Sequence, residues 1–407
     1  MKSSTGRWVT GGHFFDRKSE LALLRNRVID RNHVVLSGQR RMGKTSLLQE
    51  LGRQLNQEEW LVLFVDVEAA TCPEDAVADI AQAAYEHLPR LSRLKDGMKH
   101  WFNESVDELD VHNFRLKLRA NLDSASWKRH GDRLLQDCAN SGNPVLLIID
   151  ELPIFLTRML NEDKNKLRVE EFLSWLRRTV QSLGEDSPVI FLSGSIGLVP
   201  LVNRLGISDR INYLDAFRLG PWDRKTSTAC IDELAATYEL EIEDGVADAI
   251  YELLGVGIPH HVQSFFARIR DHSIQHELDV VSVNDVENVY RSSLLGASGQ
   301  NDLAHYESRL NEALDEDGYL IAMEVLAEAA VEGSFTLSAQ ESLTQQYRDS
   351  IDQLRHRIPS VLDVLVHDGY LERRVDGYCF ASNLLKDWWT ARFRGHHVAL
   401  TKRPLRR

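Results

Sequence analysis

The sequence predicts an α/β fold: a parallel sheet covered by helices, then a helical region, then a small domain of helices ending in a hairpin. Three observations carry that prediction. A short apolar run, Val34-Val35-Leu36, stops at a glycine-bearing loop that opens into a helical pattern at Lys44-Thr45-Ser46. A longer run, Val145 to Ile149, ends in the carboxylates Asp150 and Glu151. The final segment passes through three helical patterns into Gly369 to Phe380, which alternates about an Asp-Gly turn in the manner of a hairpin.

The chain as a whole sets wider bounds. Its 407 residues suffice for two or three domains, and 43% hydrophobic with 27% charged residues is ordinary for a soluble globular protein. The four cysteines, Cys72, Cys138, Cys230 and Cys379, form no CxxC pair, which argues against zinc and disulfide frameworks and for a reducing, cytoplasmic setting. The N-terminus has no long apolar core of the signal-peptide kind, and no apolar run approaches the length of a membrane span. A net charge of −13 argues against the whole surface being a nucleic-acid platform. From Glu341 onward, however, 12 Lys and Arg stand against 8 Asp and Glu, a net of +4 that leaves −17 for the rest. Arg392, Arg394, Lys402, Arg403, Arg406 and Arg407 carry most of that excess, as nucleic-acid contacts or as solvated surface.

In chain order, residues 13–29 join the aromatic pair Phe14-Phe15 to an amphipathic helix with Leu21, Leu24 and Val28 on one face. The loop that follows, Gly38-Gln39-Arg40-Arg41-Met42-Gly43-Lys44-Thr45, is two glycines separated by four residues, then Lys and Thr, set between strand and helix. The chemistry of a phosphate-binding loop explains these residue types. Glycines let successive backbone N–H groups turn inward toward phosphate oxygens, and the helix adds the positive end of its dipole. Lys44 is expected to reach the β- and γ-phosphates and the Thr45 hydroxyl to ligate Mg²⁺.

Trp60 to Val67 reads as a second buried strand and Pro73 to Leu88 as a helix, while residues 89–130 read as a helical insertion with Trp101, Phe102, Phe114 and Trp127 as packing anchors. Given a phosphate loop upstream, the strand ending in Asp150-Glu151 fits the Walker B pattern: Asp150 holds the metal and Glu151 polarises the attacking water. A helix from Val169 to Leu183 leads to the strand Val189 to Ser195. There Ser193, or more weakly Ser195, is a candidate to face the γ-phosphate, against the plainer reading of a Ser-Gly turn closing a strand. Asn203 to Arg218 is loop-rich and carries Arg204, Arg210 and Arg218; one, with Arg210 preferred, is a candidate arginine finger for a neighbouring subunit, and surface solvation is the alternative. Helices follow at Asp223 to Tyr238, Glu243 to Leu254, Pro259 to Arg270 and Asn284 to Leu295. The last segment gives helices at Gly318 to Ala330, Ser338 to Gln346 and Ile351 to Val366, the hairpin, and a closing helix from Leu384 to Phe393.

Together these motifs resemble the archaeal-type ATPases of the STAND group, P-loop NTPases of the ASCE/AAA+-like class related to origin-recognition initiators. The resemblance covers residues 13–395. Its members open with an aromatic residue followed by Gly-Arg and, further on, Glu-Leu; Phe15-Asp16-Arg17-Lys18-Ser19-Glu20-Leu21 fits that segment except that Asp16 replaces the glycine. Gly257-Ile258-Pro259 matches their GxP motif, in which Pro259 would lie against the base. The resemblance implies a P-loop ATPase domain over residues 1–218, a helical lid over 219–300, a winged helix over 301–395 and a basic tail over 396–407. It further implies ATP bound between sheet and lid by Arg17, the loop residues Gly38 to Ser46 and Pro259, with Mg²⁺ on Thr45 and Asp150. Hydrolysis would be slow and would drive a nucleotide-controlled switch. His367, in Val366-His367-Asp368, precedes the hairpin rather than following the winged-helix core, and is read as structural. The output stays open: the winged helix docks duplex DNA or a partner protein, with a homo-oligomer compatible with either. Arg355, Arg357, Arg373 and Arg374 favour DNA, and Pro359 inside the third helix opposes it.

Overall fold

The computed structural model describes residues 2–3, 6–87, 111–195, 197–348 and 350–404. Residues 88–110, with the expected anchors Trp101 and Phe102, lie outside that set. The chain divides into two compact units. One holds Arg17–Ser37 and Lys44–Leu219; the other holds Met1–Asp16, Gly38–Gly43 and Gly220–Arg407.

The first unit is the sheet. In order it runs α1 (Lys18–Ile29), β1 (Val34–Ser37), α2 (Lys44–Asn56), β2 (Leu61–Asp66), α3 (Pro73–Glu86), α4 (Val111–Asn121), α5 (Trp127–Ala139), β3 (Val145–Asp150), α6 (Leu152–Asp163), α7 (Leu167–Leu183), β4 (Val189–Ser193), α8 (Leu198–Leu205) and β5 (Asp215–Arg218). The five strands lie in the order β2-β3-β4-β1-β5, and every pairing is parallel. Parallel strands need crossovers, and helices laid over the faces bury both sides of the sheet. That is why β3 and β4 read as unbroken apolar runs: every residue of both is buried.

One apolar core joins β1 to β4 with α3, α5, α6 and α7. Its aromatic centre is Trp127, Phe155, Phe172 and Trp175, with the Trp127 and Trp175 rings edge to face at 5.2 Å. Gly131 on α5 has no room for a side chain, because a Cβ there would lie 2.4 Å from the Trp175 ring. Of the expected insertion, α4 is fastened to α3 by ion pairs from Arg115 to Asp79 and from Arg119 to Asp75.

The region from Asn203 to Arg218 is more ordered than its sequence predicts. Arg204 belongs to α8, and Arg218 ends the fifth strand, which pairs with β1 from Val34↔Asp215 to Ser37↔Arg218. In β5 only Phe217 is buried, so no apolar alternation signalled a strand.

The second unit contains α9 (Arg224–Thr237), α10 (Val246–Leu254), α11 (Pro259–Gln275), α12 (Val283–Val289), α13 (Ala297–Ala313), α14 (Glu316–Val331), α15 (Leu337–Gln346), α16 (Leu354–His367), β6 (Leu371–Arg374), β7 (Gly377–Phe380) and α17 (Asn383–Phe393). Asp223 caps α9 and Ser282 forms a capping box with Asp285 ahead of α12. The strands β6 and β7 pair antiparallel from Leu371↔Phe380 to Arg374↔Gly377 across a two-residue turn. Pro359 sits inside α16 without ending it. Trp389 is fully buried and Trp388 nearly so.

The basic end of the chain is not simply solvated. Glu328 on α14 is 3% exposed and takes hydrogen bonds from His397 at 2.7 Å and from the Leu400 N–H at 3.0 Å. Arg403 pairs with Glu324 at 2.8 Å, and Arg392 pairs with Glu307. All four cysteines are free thiols, and no described helix is long and apolar enough to cross a membrane.

Candidate nucleotide site

In the sheet unit the expected groups gather at the carboxyl ends of β1, β3 and β4, where ligands bind in open α/β sheets. Lys44 begins α2 and is buried. In the next position Thr45 donates its hydroxyl to Asp150 Oδ2 at 2.8 Å. Asp66, at the end of β2, stands in register with Asp150. Burial pushes the Asp66 carboxyl pKa up, and the charges of Asp150, Glu68 and Asp79 add to the rise against a backbone hydrogen bond from Glu68.

Glu151 has a left-handed backbone, with φ 55° and ψ 27°, although it starts the turn into α6. Its Oε2 accepts two hydrogen bonds from Ser195: the backbone N–H at 2.8 Å and the hydroxyl at 2.9 Å. Burial raises the Glu151 pKa and Asp150 raises it further, while the Ser195 hydrogen bonds and the Lys44 charge pull it back. Ser193, placed first on sequence grounds, is buried, and its hydroxyl has no hydrogen-bond partner among the described residues. The hydroxyl that meets the glutamate therefore belongs to Ser195.

Arg210 forms ion pairs with Glu170 at 2.6 Å and with Asp209 at 2.9 Å. Arg17 is buried, has φ 64° and pairs with Glu20 at 2.6 Å. Asp16, which stands where the resembling ATPases carry glycine, has φ 58°, the left-handed conformation that glycine adopts freely.

The loop residues Gly38 to Gly43 cluster with the second unit. Three have positive φ: Gly38 at 155°, Arg41 at 67° and Gly43 at 85°. Gly43 has open space around its Cβ position, so its conformation and not its size demands glycine. Gln39 and Met42 are buried; the Met42 N–H donates to the Gln39 carbonyl at 3.4 Å. Arg40 and Arg41 are half-buried, and Ser46 falls in the first turn of α2.

Pro259 is the buried first residue of α11, where its missing N–H costs nothing. Gly257 before it is held by the Trp222 N–H, which donates to its carbonyl at 2.8 Å. A Cβ on Gly257 would lie 2.4 Å from the Trp222 carbonyl and 2.3 Å from the Ser227 hydroxyl. The Phe15 ring meets the Trp222 edge at 5.5 Å. His367 hydrogen-bonds its neighbour Asp368 through Nδ1 at 3.1 Å.

Sequence reasoning passed over His260, which touches Arg41. Its place immediately after the Gly-Ile-Pro run, in the first turn of a helix, was the available signal.

Residues 28–202 match the family described as an AAA domain. The fold of the chain is that of a P-loop NTPase. It is similar to a Walker-type ATPase of Pyrococcus abyssi (17% identity, 95% of this chain and 99% of that one, TM-score 0.65). It is also similar to the ORC2 protein of Aeropyrum pernix in its ADPNP–ADP complexes (13% identity, 94% of this chain and 98% of that one, TM-score 0.54). No curated protein sequence matches it.

Proposed function

We propose that this chain is a Mg²⁺-dependent ATPase of the STAND type, acting as a nucleotide-controlled conformational switch. The contact between the Thr45 hydroxyl and Asp150 at 2.8 Å carries the reading, because it joins the loop helix to the acidic strand through hard oxygen donors alone. Such donors suit Mg²⁺, which keeps several waters and binds through one or two protein oxygens plus phosphates. Thr45 and Asp150 would hold the ion, whose charge would offset that of the β- and γ-phosphates.

The protein's own work is positional and electrostatic. Inward-turned N–H groups of the loop receive the phosphates, Lys44 supplies a compact charge, and Pro259 lies against the base. Glu151 orients the attacking water once it leaves Ser195, the contact that now holds its carboxylate. Residues 1–218 form the ATPase domain, 219–300 a lid, 301–395 a winged helix and 396–407 a tail. ATP binding by the loop is tested by calorimetry with Lys44→Ala, which should abolish it. Glu151→Gln should keep Mg·ATP affinity and lose turnover; parental turnover in that variant would remove Glu151 from the mechanism.

The winged helix docks a partner, and its ion pairs favour protein over duplex DNA. Arg357 is paired with Asp315 at 2.9 Å, and Arg374 with Glu372 at 2.5 Å. In the tail, Arg403 is paired with Glu324 of the winged helix. Meanwhile Val375 at the hairpin tip and Leu337 at the start of α15 are exposed apolar side chains. Duplex DNA binding with a steep salt dependence would reverse that preference.

A further inference from the structure

Arg41 is a position that the phosphate-loop pattern leaves unspecified, yet it takes a left-handed backbone that costs a residue with a Cβ and costs glycine nothing. Such conformations persist only where the surroundings hold them. His260 touches Arg41 at two points. The His260 N–H, one of the first donors of α11 and free of any intrahelical partner, donates to the Arg41 carbonyl at 3.4 Å. Arg41 Nη1 lies 2.6 Å from His260 Nε2 and 3.2 Å from Nδ1, and the shorter contact marks Nε2 as the acceptor.

A guanidinium has no acceptor, so the ring nitrogen must accept, and the imidazole must be neutral. The surroundings enforce this. Burial, then the charges of Arg41, His261, Arg40 and Arg268, push the His260 pKa well down. One loop residue is thus gripped by backbone and by side chain from the first turn of a single helix.

We infer that His260 is a positioning residue for nucleotide binding: it holds the Arg41 turn, and through that turn it shapes the loop that receives the phosphates. The inference rests on the ATP reading above. It separates two roles within one short stretch of α11. Pro259 would serve the base, whereas His260 serves the loop and touches no part of the nucleotide.

The test is calorimetric binding of Mg·ATP and Mg·ADP to the full chain, with turnover measured at saturating ATP. His260→Ala should raise the dissociation constant of both nucleotides about tenfold, the factor set by releasing one left-handed residue, with kcat within about twofold of the parent. His260→Gln, whose side-chain carbonyl can accept in place of Nε2, should stay within about threefold of the parent. Combining Arg41→Gly with His260→Ala should restore affinity to within about threefold, because glycine takes the turn without help; Arg41→Ala in the same background should not.

If His260→Ala does not fold, as judged by circular dichroism, the single variants decide. Arg41→Ala should then bind about tenfold more weakly than Arg41→Gly. Parental affinity in a folded His260→Ala overturns the inference, and so does a glycine at position 41 that restores nothing. Failure of the parental protein to bind nucleotide, or full binding by Lys44→Ala, overturns the ATP reading instead.

Discussion

Ser195→Ala isolates the contact on which the acidic end of the site depends. Glu151 is ionised at a cost, since burial and then Asp150 raise its pKa, and the two Ser195 donors and Lys44 offset only part of that rise. The substitution deletes the hydroxyl donor at 2.9 Å and keeps the N–H donor at 2.8 Å. A hydrogen bond to a charged group contributes about 1.5–3 kcal/mol, and one between neutral groups about 0.5–1.5 kcal/mol. Both residues are half-buried, which favours the lower half of each range. At pH 8 the variant should therefore lose about 1.5–2 kcal/mol, and where Glu151 is protonated only about 0.5–1 kcal/mol.

The sign follows from linkage. A carboxyl whose folded pKa exceeds its unfolded one binds protons preferentially in the folded state, so stability falls as pH rises through the folded pKa. Removing a donor that favours the ionised form raises the folded pKa further and deepens that fall. Urea unfolding of the parent, Ser195→Ala, Glu151→Gln and the double variant at pH 5 and pH 8 measures it. With Gln at 151 the cost of losing the hydroxyl should stay near the neutral value at both pH values, because an amide does not titrate. An equal cost in both backgrounds and at both pH values would refute the reasoning. In turnover, the acid limb of the pH profile should move to higher pH in Ser195→Ala.

Asp150→Asn should retain ATP binding through the loop but raise the magnesium needed for half-maximal turnover by at least about tenfold, read from a metal titration. An unchanged metal requirement would move the ion away from Thr45 and Asp150. A chain ending after Phe393 loses His397, the Leu400 N–H and Arg403, and leaves Glu328 buried without its hydrogen-bond donors and Glu324 without its ion-pair partner. Removing one partner of a buried pair costs about 3–5 kcal/mol, so this truncation should lower the urea midpoint sharply; a midpoint equal to that of the full chain would show that the tail contacts contribute nothing.

The sheet and its motifs were legible because each has a local cause. An apolar run with no polar interruption, as in Val145 to Ile149, is what a central parallel strand requires. The glycines at 38 and 43 are what a backbone at φ 155° and 85° requires. The hairpin announced itself by Asp376-Gly377. Illegible features depend on partners distant in sequence. β5 has one buried residue in four and becomes a strand only by pairing with β1. Ser193 and Ser195 differ by a single pleat, and only the turn after β4 decides which hydroxyl reaches Glu151. The basic tail carries the same residues whether solvated or paired; Glu324, 79 residues before Arg403, and Glu328, 69 before His397, make those two structural. Composition counts charges but does not pair them.

Backbone strain gathers in the stretches that the sequence marks for nucleotide chemistry, though not there alone. Among the described residues, ten that are not glycine have a left-handed φ. Five of them, Arg31, Glu59, Lys164, Glu239 and Glu277, fall at or just beyond helix C-termini, where a left-handed residue is the ordinary way to stop a helix. The other five, Asp16, Arg17, Arg41, Glu151 and Gln353, stop no helix. Arg17, Glu151 and Gln353 precede helices, at positions where the backbone is usually extended. All but Gln353 lie in a stretch that the sequence marks for nucleotide chemistry: the aromatic-Arg segment, the phosphate loop and the acidic strand end. A residue with a Cβ held in this region costs about 1–2 kcal/mol, and a chain selected for stability alone would carry glycine or asparagine there. The side chains explain why it does not. Arg17 is needed for its ion pair with Glu20, Arg41 for His260, and Glu151 for the carboxylate held by Ser195. Stability is given up at these positions because the turn aims the side chain.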